Sequence, residues 1–197
     1  MNTLGLLIVV SGPSGTGKGT LCSLIRKDFT NLYSSISATT RNPRQGEISG
    51  VDYLFMSKEE FLEIRDSNGF LEWAEVYDNY YGTPRSKVEE NIVQGIDVLL
   101  EIDIQGALYV KKQYPEGVSI FIAPPSISEL KQRIEGRGKD SPEAILKRLK
   151  SAHAELAYAS EYDYVIVNDD LETALAKLKS IIIAEKCKPQ RREVKFE

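Results

Sequence analysis

Leu6-Leu7-Ile8-Val9-Val10-Ser11-Gly12-Pro13-Ser14-Gly15-Thr16-Gly17-Lys18 is the stretch that decides the fold. It opens on a continuous apolar run, as expected of a strand buried on both faces. The run ends in a glycine-rich turn, and a helix is expected from Lys18 to Lys27, with Leu21, Leu24 and Ile25 on one side. Gly12 to Lys18 matches the phosphate-binding pattern G-x-x-x-x-G-K. Glycines let successive backbone N–H groups turn inward around phosphate oxygens, the helix adds its positive end, and the lysine reaches the β and γ phosphates. A strand before and a helix after separate this loop from an ordinary tight turn. Gly19 stands where the general pattern has a Ser or Thr magnesium ligand, and Thr20 follows it. A magnesium ion is therefore expected to be held mainly by phosphates and water, near Thr20 and Asp103.

Outward from that stretch, Val98-Leu99-Leu100, Val118 to Ile122 and Tyr164 to Val167 read as further short buried strands. Helices are expected over 85–94, 104–113, 142–160 and 171–187, with Thr83-Pro84 and Ser141-Pro142 as starts and Gly95 as a stop. Strands alternating with helices imply right-handed crossovers and a parallel sheet, an α/β fold. Residues 34–82 break the rhythm. Val51 to Met56 and Phe70 to Val76 read as half-buried strands, and Ser57-Lys58-Glu59-Glu60 is a capping box opening a short helix that Gly69 closes. This predicts a small mixed α+β insertion. Residues 126–150 read as a second excursion, in which Gly136 and Gly138 interrupt a helical pattern beside several arginines.

A chain of 197 residues with 42% hydrophobic and 27% charged content suits one globular core with insertions. Its net charge of −4 argues against a nucleic-acid partner held by a global basic field. The longest apolar run, Leu4 to Val10, is far short of the roughly 20 residues that span a bilayer. It also lacks the flanks of a signal peptide, so no membrane partner is expected. Cys22 and Cys187 make neither a disulfide framework nor a metal-ligand spacing. The single histidine, His153, argues against a His-cluster metal site and reads as structural, on a helix with Ile145, Leu149, Ala152, Leu156 and Ala159. A reducing, cytoplasmic setting fits these features. Charge is uneven: residues 34–82 hold nine acids and four bases, residues 126–150 seven bases and four acids. Chance segregation on solvated faces would look the same.

Arg41 and Arg44 lie in the polar segment Ser37-Ala38-Thr39-Thr40-Arg41-Asn42-Pro43-Arg44. Two guanidinium forks at this spacing can clamp one monophosphate, or can simply be solvated surface arginines. Arg133, Arg137 and Arg148 in the basic excursion suit a mobile flap over a transferring phosphoryl group, or a solvated helical face. Glu101 and Asp103, at the end of a buried strand, point to the same face. Strand C-terminal ends line the ligand crevice of open parallel sheets, where such acids can hold magnesium waters or receive a substrate donor.

Taken together these pieces resemble guanylate kinase over residues 4–187. The resemblance is carried by Ser11 to Lys18, Ser37 through Gly46-Glu47, Gly50-Val51-Asp52-Tyr53 and Asn79-Tyr80-Tyr81-Gly82-Thr83. Glu101-Ile102-Asp103-Ile104-Gln105-Gly106 and Arg133-Ile134-Glu135-Gly136-Arg137-Gly138 complete it. It implies a P-loop kinase core at 1–33, 84–125 and 151–197, a GMP-binding insertion at 34–83 and a small helical lid at 126–150. It also implies MgATP-dependent phosphorylation of GMP, and of dGMP, with the nucleotides as partners. Monomer or homo-oligomer is left open. By the same resemblance Gly12, Pro13, Ser14, Gly15, Thr16, Gly17, Lys18, Gly19 and Thr20 hold ATP phosphates, with Arg133 and Asn168 near the ATP base and lid. Ser37, Arg41, Arg44, Tyr53 and Tyr81 take the GMP phosphate, and Glu72 and Thr83 read guanine with Asp103 nearby. Arg137 and Arg148 close over the transferring group, so the catalytic set is Lys18, Arg41, Arg137 and Arg148.

Such a transfer needs no protein base, since a nucleotide phosphate oxygen is already ionised near neutral pH; positioning and charge neutralisation suffice. Both excursions are expected to close toward each other on binding, which excludes water. Two rivals remain. A kinase for another phosphorylated substrate is disfavoured by Glu72, Ser37 and Thr83, a trio suited to a guanine edge. A non-catalytic kinase-like interaction module typically carries an eroded phosphate loop, whereas Gly17-Lys18, Arg41, Arg137 and Arg148 are all present.

Overall fold

The computed structural model describes residues 4–76, 78–136 and 142–191. The chain opens with strand β1 (Leu7–Ser11), helix α1 (Lys18–Asp28) and strands β2 (Leu32–Ser34), β3 (Ala38–Thr39) and β4 (Leu54–Phe55). Helix α2 (Lys58–Asp66), strands β5 (Phe70–Val76) and β6 (Asn79–Pro84), and helix α3 (Arg85–Val93) follow. Then come β7 (Asp97–Glu101), α4 (Ile104–Gln113), β8 (Val118–Ala123), α5 (Ile127–Glu135) and α6 (Pro142–Leu156). A 3-10 turn, Ala157–Glu161, leads into β9 (Tyr164–Val167) and α7 (Leu171–Lys186).

Five strands form a sheet in the order β2-β7-β1-β8-β9, every neighbouring pair parallel. The period of two along β1 splits the core. Ile8 and Val10 pack with Leu21 and Ile25 of α1 and Leu178 and Ile182 of α7. Leu7 and Val9 pack on the other face with Val88 of α3 and Ala107 and Val110 of α4. Each large side chain so buried contributes about 1.5–3 kcal/mol, which holds the short strands together. With both faces covered, β1 and β8 are buried along their whole length, as their unbroken apolar runs require.

A second sheet, in the order β4-β3-β6-β5, is mixed: β3 pairs parallel to β4 and antiparallel to β6, which pairs antiparallel to β5. Helix α2 seals one face through Phe61, stacked 4.3 Å from Phe70 and 5.4 Å from Tyr80. Ser57 caps that helix as its sequence predicts. Its hydroxyl accepts from the Glu60 N–H while the Glu60 carboxylate accepts from the Ser57 N–H.

The structure corrects several boundaries. Only Leu54–Phe55 of the stretch 51–56 pairs as a strand, because a turn closed by Ile48 and Asp52, with Gly50 at φ 81°, keeps residues 51–52 off the ladder. Thr83-Pro84 leads into α3 as expected, with Pro84 at the N-cap position, but both residues also belong to a strand. Pairing with Glu72 and Phe70 extends β6 through Pro84, and α3 starts at Arg85 without a side-chain cap. The helix expected over 142–160 gives way to the 3-10 turn after Leu156. His153 on α6 is exposed. Leu130 and Ile134 of α5 are buried with Ala152 of α6, and these helices form a small core of their own. Among the described residues no helix is long and apolar enough to cross a membrane.

Candidate active site

The turn after β1 is a backbone cradle. Gly12, Gly15 and Gly17 adopt φ values of 136°, 93° and 92°, which side chains rarely tolerate. Space is also short: a Cβ on Gly12 would strike the carbonyl of Ile122, and one on Gly17 the amide of Asn168. Lys18 folds back over the loop and donates to the carbonyls of Gly12 and Pro13 at 2.5 and 2.9 Å. The loop is braced from behind. The buried Asn168 amide donates to the Thr16 carbonyl at 2.7 Å, Arg133 donates to the Asn168 carbonyl at 3.0 Å, and the Thr16 hydroxyl donates to the Pro13 carbonyl at 2.9 Å.

In front of the cradle lies a cleft of about 530 Å³. Its walls bring together Gly12, Ser14, Gly15, Gly17, Lys18 and Gly19 of the loop with Ser37, Arg44, Tyr53, Glu72 and Tyr81 of the insertion, Asp103, and Arg148 of α6. Pro13, Thr16, Thr20, Thr83, Arg133 and Asn168 do not line it, and Thr20 is exposed. Arg137 lies outside the described residues.

The cleft wall carries both cations (Lys18, Arg44 and Arg148) and carboxylates (Glu72, Glu75, Glu101, Asp103 and Glu155). Arg41 stands just behind the wall. Its Nη2 donates to both carboxylate oxygens of Glu47 at 3.0 and 2.9 Å, and its guanidinium lies over the rings of Tyr53 and Phe55. Glu47 also accepts from the Arg44 N–H at 2.7 Å, so one carboxylate orders both arginines of the polar segment. Despite its partial burial, the Arg41 guanidinium is held above its ordinary pKa by Glu47 and the neighbouring Tyr81.

Glu72 is the buried acid of the site, 4% exposed. Phe70 and Leu71 point to opposite faces of β5 and fill separate cores, and a register irregularity in the pairing between Phe70 and Glu72 precedes Glu72, which meets the cleft. The Thr83 hydroxyl, directly across the ladder, donates to its Oε1 at 2.6 Å. Burial pushes the Glu72 carboxyl up to about 7, against the Thr83 bond and with help from the charge of Asp103. Asp103 caps α4, its side chain accepting from the Gly106 N–H at 3.0 Å. A carboxylate held this way offers two acceptors to a pair of adjacent donors.

Two lining residues of α6 carry no assignment from the sequence. Ser151 and Glu155 follow Arg148 by three and seven positions on α6 and join it on the wall; that helical spacing was legible. Burial raises the Glu155 carboxyl, against the charge of Lys18. Glu101 lines the cleft beside Gly19, where a Cβ would sit 3.4 Å from its Oε1. The space toward which a Ser or Thr side chain would project thus faces a carboxylate. Among the described residues no group of three or more His, Cys, Asp or Glu side chains could hold a metal ion.

This geometry has a family. The profile of guanylate kinase matches residues 5–185. The chain belongs to the guanylate kinase family. The guanylate kinase of Caldanaerobacter subterraneus subsp. tengcongensis is 57% identical, over 95% of this chain and 91% of its own. That of Desulfitobacterium hafniense is 55% identical over 98% and 96%. The crystal structure of guanylate kinase from Anaplasma phagocytophilum superposes with a TM-score of 0.79 at 38% identity, covering 96% of this chain and 90% of that one. Guanylate kinases are nucleotide-binding transferases that phosphorylate GMP with MgATP, so the chain is an enzyme of purine metabolism.

Proposed function

We propose that the cleft is where ATP and GMP meet, with residues 1–33, 84–125 and 151–197 as the ATP-binding core, 34–83 as the GMP-binding insertion and 126–150 as the lid. ATP phosphates enter the cradle of Gly12 to Gly19, where inward N–H groups and the start of α1 receive them. Lys18 exchanges its two loop carbonyls for phosphate oxygens. The GMP phosphate lies against Ser37, Arg44, Tyr53 and Tyr81, with Arg41 beside it, oriented by Glu47. An oxygen of that phosphate attacks the γ phosphorus of ATP, the new P–O bond forms as the bond to the β-phosphate oxygen breaks, and ADP departs. Lys18, Arg41, Arg137 and Arg148 offset the charge on the migrating group.

The cradle suits a nucleotide-bound magnesium ion, with Glu101 and Asp103 as the side chains that would hold its waters. Bound magnesium supplies charge neutralisation between the phosphates. Asn168 and Arg133 serve the loop from behind. Two free thiols, Cys22 and Cys187, fit a cytoplasmic setting.

The observation that carries the reading is Glu72: a buried carboxylate, held by Thr83, in the same cleft as a phosphate cradle. A coupled assay of ADP release against GMP, dGMP, AMP, CMP and UMP tests it. GMP and dGMP should turn over at least about a hundredfold better than the others, because a site built for a donor pair rejects bases lacking it. Comparable turnover of AMP would defeat the assignment.

A further inference from the structure

Gly106 is the third residue of α4, and its placement has no local explanation. The backbone there has no positive φ, and helix propensity alone would favour alanine. The neighbour across the cleft explains it. A Cβ added to Gly106 would run into Oε2 of Glu72, and would lie 3.0 Å from Cδ and 3.5 Å from Cγ of the same side chain. On the other side Oε1 is already tied to Thr83. The carboxylate therefore sits between a hydroxyl and a bare helix backbone, and any side chain at 106 would displace it.

We infer that Gly106 is a positioning residue for base selection: by lacking a side chain it lets the Glu72 carboxylate lie against the first turn of α4, facing the purine. This rests on the reading of Glu72 as the guanine-contacting group. The atom in the way is the far end of a flexible side chain, so Gly106→Ala leaves the fold intact and moves the carboxylate instead. The cleft end at the loop glycines does not involve Gly106, so ATP binding is unchanged. Shortening the acid by one methylene withdraws the obstructed oxygen, so Glu72→Asp makes room for the added methyl.

The test compares wild type, G106A, E72D, the double variant G106A/E72D and E72Q, with GMP and with AMP. In G106A, kcat/KM for GMP falls by roughly tenfold to hundredfold, as for an angstrom-scale misplacement of a reacting group. The loss lies mainly in KM for GMP, with KM for ATP and the melting temperature near wild type. In G106A/E72D, measured against E72D, the added loss caused by alanine is smaller than in G106A measured against wild type. Wild-type kinetics in G106A, an equal loss on the E72D background, or failure of G106A to fold would each overturn the positioning role. An unchanged GMP/AMP ratio in E72Q would instead overturn the reading of Glu72 itself, whatever G106A does.

Discussion

The Thr83 hydroxyl and the Glu72 carboxylate meet at 2.6 Å across the β5–β6 ladder, both buried. The bond fixes the acid's rotamer while leaving acceptors for a base. Guanine presents N1–H and the 2-amino group side by side, whereas adenine presents an N1 lone pair and no 2-amino group. Glu72→Gln exchanges an acceptor for a donor at nearly constant size. It should lower kcat/KM for GMP by at least about 10²-fold and leave AMP unchanged or slightly improved, as steady-state kinetics on both substrates will read.

The same acid sets a pH dependence. Burial raises its folded pKa to about 7, above the ordinary 4.5. Between those values the folded state retains a proton that the unfolded chain has released, so this group's contribution is fully present below pH 4.5 and is lost as pH rises toward 7. Melting temperatures of wild type should therefore fall relative to Glu72→Gln across that window. Parallel profiles would contradict the burial account. GMP, whose donors favour the ionised acid, should bind more weakly below pH 7.

Glu47 orders Arg41 and Arg44 together. Partial burial pushes its carboxyl up, but the bonds from the Arg44 N–H and Arg41 outweigh this and hold it below the ordinary 4.5. The arrangement is thus complete above pH 4.5 and lost as pH falls through the lowered value. Glu47→Ala should raise KM for GMP about tenfold and spare KM for ATP, since it releases the Arg41 guanidinium and the Arg44 backbone from their ordered geometry. An equal rise in both constants would refute that division.

Asn168 joins β9 to the phosphate loop through a buried bond to the Thr16 carbonyl. Asn168→Ala leaves that carbonyl unpaired, at a cost of about 1–3 kcal/mol. Chemical denaturation should show the loss, and KM for ATP should rise while KM for GMP holds.

Lys18→Ala removes a charge from the cradle with little packing. Turnover should fall at least about 10²-fold, with the melting temperature within about 5 °C of wild type. Turnover within tenfold of wild type would remove Lys18 from the proposed catalytic set.

Some features follow from neighbours in sequence. The run Leu7 to Val10, the glycines at 12, 15 and 17 and the capping box at Ser57 each act over a few residues, so their hydrophobic period and turn chemistry are legible without a fold. Helix α4 falls at 104–113 for the same reason. Strands β2, β3 and β6 had no such signal, because pairing partners rather than apolar runs define them. The site divides along the same line. Its phosphate cradle is local. The bond from Asn168 to Thr16 spans 152 positions, Thr83 reaches Glu72 across 11, and Gly106 matters only because the first turn of α4 packs against β5. Sequence alone set the chemistry available, since residue types and short spacings carry it. Tertiary structure decided which carboxylate is buried, braced and aimed, because burial and close approach arise only when distant segments pack.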